Sequence, residues 1–165
     1  MKNYEKASEE LDELFNSVLE ETSIPQWIDF EIRIDNKQKS VSKIRKLDDL
    51  IVSLTDQINF AIIVNERAFN MLTPDQQKIE LRECIEGVVV DETDKITHVK
   101  PNFTTYSGLL EKYGYEAIKG LYETREAVFV KIKEEDDAVK AQSGKGKRGR
   151  KKKSESSVQY NPDEL

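Results

Sequence analysis

The chain has 165 residues, 37% of them apolar, with 26 basic and 32 acidic side chains and a net charge of −6. That supports one modest core, and no stretch has the continuous apolar character of a signal peptide or a membrane span, so a soluble, intracellular protein is expected. A single cysteine, Cys84, excludes an intrachain disulfide and suits a reduced compartment, while a single histidine, His98, excludes any site built on two imidazoles.

Leu11, Leu14, Phe15 and Val18 fall at i, i+3, i+4 and i+7, which predicts a first helix over residues 8–21 with one buried stripe. Pro25 ends that run. In WIDFEIRID, Ile28, Phe30, Ile32 and Ile34 alternate with Asp29, Glu31 and Arg33, the period of a strand with one wet face. NKQKSVSKIRKL predicts a polar turn into a lysine-studded strand at a sheet edge, where charge discourages stray pairing. LDDLIVSLTD has helical spacing, with Asp48 and Asp49 in the first turn where the helix dipole favours acids. INFAIIV is apolar on both faces and predicts a central strand covered above and below.

Thr73, Pro74 and Gln76 spell a capping box with proline at the first helical position. The helix that starts there is expected to carry LRECIEGVVVD, with Leu81, Cys84, Ile85 and Val88 on one side. YSGLLEKYG is helix-spaced through Tyr106, Leu109, Leu110 and Tyr113, with Gly114 as its C-terminal cap. A last helix uses Ile118, Leu121, Tyr122, Val128, Phe129 and Ile132 as its apolar positions. The order helix, strand, strand, helix, strand, then helices predicts an α+β domain with a small sheet over residues 1–133. Beyond it aromatics nearly vanish and Gly, Ser and Lys dominate, which predicts a disordered tail over residues 134–165.

Within that tail, residues 143–154 hold seven basic side chains (Lys145, Lys147, Arg148, Arg150, Lys151, Lys152, Lys153) and no acid. The other 19 basic residues face 32 acids, so the rest of the chain carries about −13. Glycines keep SGKGKRGRKKKS open while its cations suit an extended path along phosphates. KRGRKKK is similar to AT-hook peptides, whose arginines beside a glycine enter the minor groove of A·T-rich DNA; it lacks their flanking prolines. Neutralising seven phosphates would give log affinity a slope of about −6 against log salt, largely indifferent to sequence. No aromatic in the segment offers stacking on single strands.

Catalytic motifs are missing: no glycine-rich phosphate loop, no G-x-S-x-G elbow and no C-x-x-C pair. Glu83 and Glu86 share a helix side away from the Leu81, Cys84, Ile85 stripe. An E-x-x-E pair holds a hard cation only where further oxygen ligands converge, with His98 or Asp91 as the nearest candidates. Solvated glutamates are the commoner use of such a pair. Cys84 on the apolar stripe is expected to be a small buried side chain. No catalytic residue and no cofactor are assigned.

ELDELFNSVLEETSIPQWIDFEI, INFAIIVNERAFNMLTPDQQKIELRECIEGVVVD and DKITHVKPNFTTYSGLLEKYG together resemble the zincin-like phage metallopeptidase family, over about residues 8–130. The resemblance implies a small zincin-like domain with a short mixed sheet packed by helices. Family members with an intact motif carry an HExxH helix where LRECIEGVVVD stands. Here either Arg82 and Glu86 take the histidine positions, with Glu83 as the motif's acid, or Glu83 and Gly87 take them with Cys84 in place of the acid. Under both placements the zinc ligands are gone.

The expectation is therefore a non-catalytic bacteriophage accessory protein of the host cytoplasm, able to associate with the nucleoid. Its degenerate metallopeptidase-like body would bind a protein partner, such as host or phage nucleoprotein machinery, and its basic segment would tether it to DNA without sequence preference. The alternatives are a metal-dependent hydrolase with an unconventional site around Glu83, Glu86 and His98, and a virion or assembly component.

Overall fold

The computed structural model describes residues 3–101 and 105–145. In chain order the elements are β1 (Glu5–Lys6), α1 (Glu9–Glu20), β2 (Asp29–Ile34), β3 (Ser42–Lys46), α2 (Asp49–Leu54), β4 (Ile58–Val64), α3 (Glu66–Phe69), α4 (Pro74–Glu86), β5 (Val88–Val90), β6 (Ile96–His98), α5 (Ser107–Tyr113) and α6 (Tyr115–Lys145). The chain divides into two units, Met1–Ile132 and Lys133–Leu165. No described helix is long and apolar enough to cross a membrane.

The first unit is an α+β domain built on a mixed four-stranded sheet in the order β1-β2-β4-β3. β4 lies parallel to β2 and antiparallel to β3, so the apolar INFAIIV segment is central and lysine-rich β3 is an edge. The registers Ile34↔Val64↔Ser42, Ile32↔Ile62↔Ile44 and Phe30↔Phe60↔Lys46 define one face. Helices cover that face: Leu11, Phe15 and Val18 of α1, Leu81 and Ile85 of α4, Leu109 of α5, and Ile118, Leu121 and Val128 of α6 share its core. Phe30 joins Phe15 edge-on and stacks on Phe60 at 5.4 Å between ring centroids.

Local chemistry sets the helix ends. Ser8 accepts from Leu11 N, Asp48 from Ile51 N and Asn65 from Ala68 N, each supplying an oxygen to an otherwise unpaired first-turn N–H. Thr73 and Gln76 close both arms of the capping box, with Pro74 at the first turn. Gly114 ends α5 at φ +82°, a conformation open to glycine at little cost.

Two expectations need correction. The helix expected to carry LRECIEGVVVD stops at Glu86, and Val88 to Val90 pair with β6 in a separate two-stranded sheet. Its cause is local: Gly87 caps the helix, and three consecutive valines favour an extended backbone. β4 is central as expected and buried from both sides: helices pack on Phe60, Ile62 and Val64, while on the other face Ile63 is 4% exposed and Ala61 part-buried, beside a groove of about 360 Å³. Finally, residues 134–145, expected to be disordered, are helical through Lys145. Glu, Lys and Ala are strong helix formers, and Asp137 and Lys140 sit 4.0 Å apart at i,i+3.

Candidate functional site

A cavity of about 560 Å³ opens between β3, the inner side of α4, β6 and the α6 segment around Arg125 and Phe129. Its chemistry begins with two charges set into apolar stripes. Glu80 lies one helical turn before Cys84 and shares its side of α4, and its side chain is only 3% exposed. Arg125 falls at the i+4 and i+7 positions of the stripe formed by Leu121 and Ile118.

The two meet across the cavity wall. Arg125 donates from Nε to Glu80 Oε2 at 2.6 Å and from Nη2 to Glu83 Oε2 at 2.5 Å, so one guanidinium bridges two carboxylates one turn apart. Tyr122 donates its hydroxyl to Glu83 Oε1 at 3.0 Å, and its ring lies 4.9 Å beneath the Arg125 guanidinium. On the other side the Ser42 hydroxyl donates to Glu80 Oε1 and sits 3.0 Å from Cys84 Sγ. Burial pushes the Glu80 carboxyl above its ordinary range, opposed by Arg125 and Ser42. Burial works against the Arg125 charge, but Glu80 and Glu83 together hold its pKa above the usual value.

Cys84 is buried as the stripe predicts. Desolvation, reinforced by the Glu80 charge, pushes its thiol up to about 12. A thiol held in that state is a donor to Ser42 and no nucleophile at neutral pH. His98 sits on β6 at the cavity margin, partly buried, with burial drawing its pKa below 6.5 against a hydrogen bond to the Cys84 backbone. Its Nε2 is buried and has no hydrogen-bond partner among the described residues. Lys39 and Lys43 also line the cavity.

The predicted candidates are distributed differently from the sequence expectation. Glu83 and Glu86 are not simply solvated: Glu83 takes Arg125, and Glu86 pairs with Arg82 at 2.9 Å outside the cavity. Asp91 closes the β5–β6 turn, accepting from the backbone of Thr93 and Lys95. Neither pair of helix positions considered for lost histidines faces the cavity as a pair. The i,i+4 pair that does is Glu80 and Cys84. No group of three or more His, Cys, Asp or Glu able to hold a metal ion occurs among the described residues. Of the basic segment, Lys145 ends α6, and Lys147, Arg148, Arg150, Lys151, Lys152 and Lys153 lie outside the described residues.

Sequence reasoning missed Glu80, Arg125, Ser42 and Tyr122. A charge at a position that spacing assigns to the core was the available signal, present twice and with opposite signs. No protein-family model, no curated protein and no solved structure matches the chain.

Proposed function

We propose that the domain is a non-catalytic binding module, a degenerate metallopeptidase-like scaffold that takes an extended segment of a protein partner along β3, while the basic segment 143–154 tethers the protein to DNA in the host cytoplasm of a bacteriophage infection. The observation that carries the reading is the Arg125 bridge. A guanidinium fills the space between Glu80 and Glu83 where hydrolytic chemistry would need a metal or a free carboxylate pair, so these two acids are committed to structure.

The binding mode follows from the ladder. Asn65 N donates to Val41 O and Leu47 N to Asn59 O, so residues 41, 43, 45 and 47 direct their backbone groups at β4. Ser42 and Ile44 alternate with them and direct their N–H and C=O outward at the free edge, beside the cavity. A strand added there gains main-chain hydrogen bonds, and its side chains alternate between the cavity and solvent.

Panning displayed random short peptides against the full chain tests this. Enriched peptides are expected to lose binding to Ile44→Pro, which removes an outward N–H that the β3–β4 ladder does not use. Cleavage of those peptides by pure protein, abolished in Glu80→Gln, would overturn the reading. Deleting residues 143–154 is expected to abolish duplex DNA binding in a shift assay; equal binding by both forms removes the tether.

A further inference from the structure

The free edge of β3 divides two unlike surfaces. Ser42 and Ile44 belong to the cavity side of the sheet, and Lys43 and Arg45, which alternate with them, belong to the other. On that other side the pairing sets Lys6, Arg33 and Lys43 in one row across Ile63, and Glu31 and Arg45 in the next across Ala61. Four cations stand there with one acid, and the acid is already taken, since Glu31 pairs with Arg33 at 2.7 Å. Lys6, Lys43 and Arg45 have no ion pair among the described residues.

The cavity side has a different character. Its lining holds three basic side chains, Lys39, Lys43 and Arg125, and three acidic ones, Glu80, Glu83 and Glu126, so neither sign prevails. Most of its wall is apolar, with Ile44, Pro101 and Phe129 among the contributors. Lys46, the next residue of that parity, is not part of the lining and donates instead to Ile96 O at 2.6 Å. The cavity therefore spans the positions opposite Ser42 and Ile44.

A strand laid against this edge sends alternate side chains to the two surfaces. Those opposite Ser42 and Ile44 enter the apolar hollow. Those opposite Lys43 and Arg45 meet unpaired cations at cross-strand distance, where opposite charges attract and like charges repel. A polyanion would use the cations but neither the hollow nor the period of two.

We propose that the partner segment of β3 alternates apolar and acidic residues, its apolar side chains filling the cavity and its carboxylates facing Lys43 and Arg45. This rests on the reading that β3 takes a partner strand, and it adds the chemistry of that strand.

Random seven-residue peptides displayed against the full chain, and against the full chain carrying Lys43→Glu with Arg45→Glu, test the assignment. Peptides enriched on the wild type are expected to carry Asp or Glu at alternate positions with aliphatic or aromatic residues between. The double variant, whose far-UV circular dichroism should be unchanged, is expected to select Lys or Arg at the acidic positions and keep the apolar ones. A synthetic wild-type-selected peptide should bind the double variant about tenfold more weakly by fluorescence anisotropy, and the gap should narrow as salt is raised. Residues 143–154 are intact in both proteins, so an acidic preference that survives Lys43→Glu with Arg45→Glu belongs to that segment and overturns the proposal. Acidic runs without alternation, the mark of a polyanion surface, would overturn it as well. Peptides that are lost in Ile44→Pro but show no charge preference would overturn it while leaving the edge reading in place, whereas enrichment of no peptide would remove both.

Discussion

Replacing Arg125 with methionine removes the charge that Glu80 and Glu83 share while keeping an unbranched apolar stem in the wall. The side chains are 24% exposed for Arg125, 3% for Glu80 and 17% for Glu83, so the change strands a carboxylate that water does not reach. Breaking a buried pair by removing one partner costs about 3–5 kcal/mol. For a chain of this size that corresponds to a fall in Tm of roughly 6–20 °C. The assay is urea unfolding followed by circular dichroism at pH 7, with the m-value as a check that the unfolded state is unchanged. Adding Glu80→Gln to Arg125→Met takes away the stranded charge and should recover most of the loss.

The pH dependence has a definite sign. Glu80 already has a folded-state pKa raised above the ordinary 4.5 by burial. An acid raised in the folded state binds its proton more tightly there, so stability falls as pH climbs from the unfolded value through the folded one. Without Arg125 that penalty grows, and the deficit of Arg125→Met should shrink as the solution is acidified toward 4.5. A loss under about 1 kcal/mol at pH 7, or a double variant as unstable as the single, would refute the buried-pair account.

Three further outcomes follow from particular residues. His98 is the single histidine, so its NMR titration is unambiguous; its pKa should lie below 6.5, stability should drop as pH falls beneath that value, and His98→Gln should flatten the drop, whereas a value at or above 6.5 contradicts its burial. Asp56 and Gln57 occupy consecutive left-handed positions at φ 42° and 64°, and Gln57→Gly should raise the urea midpoint by the equivalent of about 0.5–1 kcal/mol. Gly87→Ala would drive a methyl into the Val99 carbonyl and the Tyr106 hydroxyl and should cost about 2–3 kcal/mol, while Gly108→Ala meets only the movable end of Glu86 at 2.5 Å and should be near neutral by the same unfolding measurement.

The parts of this fold that were legible in the sequence are those where one local cause dominates. Thr73-Pro74-Asp75-Gln76 allows little but a helix start, Gly114 suits a left-handed cap, and the charges of β3 mark an edge. Val88 misled because it fits two patterns: it continues the Cys84 stripe at i+4 and also opens a run of β-branched residues, and the cap at Gly87 decides for the second. β1 has two residues, and β5 and β6 three each, too few for a period to show. The candidate site was less legible still. Glu80 and Arg125 lie 45 positions apart, and only the packing of α4 against α6 brings each to the other's charge. Ser42 entered as one polar residue of an edge strand, and its bond to Glu80 depends on which face of β3 meets α4.

The strand order carries a consequence for how the chain reaches this state. β2 and β3 are consecutive in sequence but do not touch, because β4 occupies the seat between them. The early-synthesised half of the sheet is thus left with a gap until residues 58–64 arrive, and closing the β2–β4 ladder requires a loop of more than twenty residues to be ordered first. Nucleation is expected to wait for that insertion and then go to completion in one step, and a truncated chain ending before Ile58 would display two unmatched strand borders, the condition in which nascent sheets aggregate.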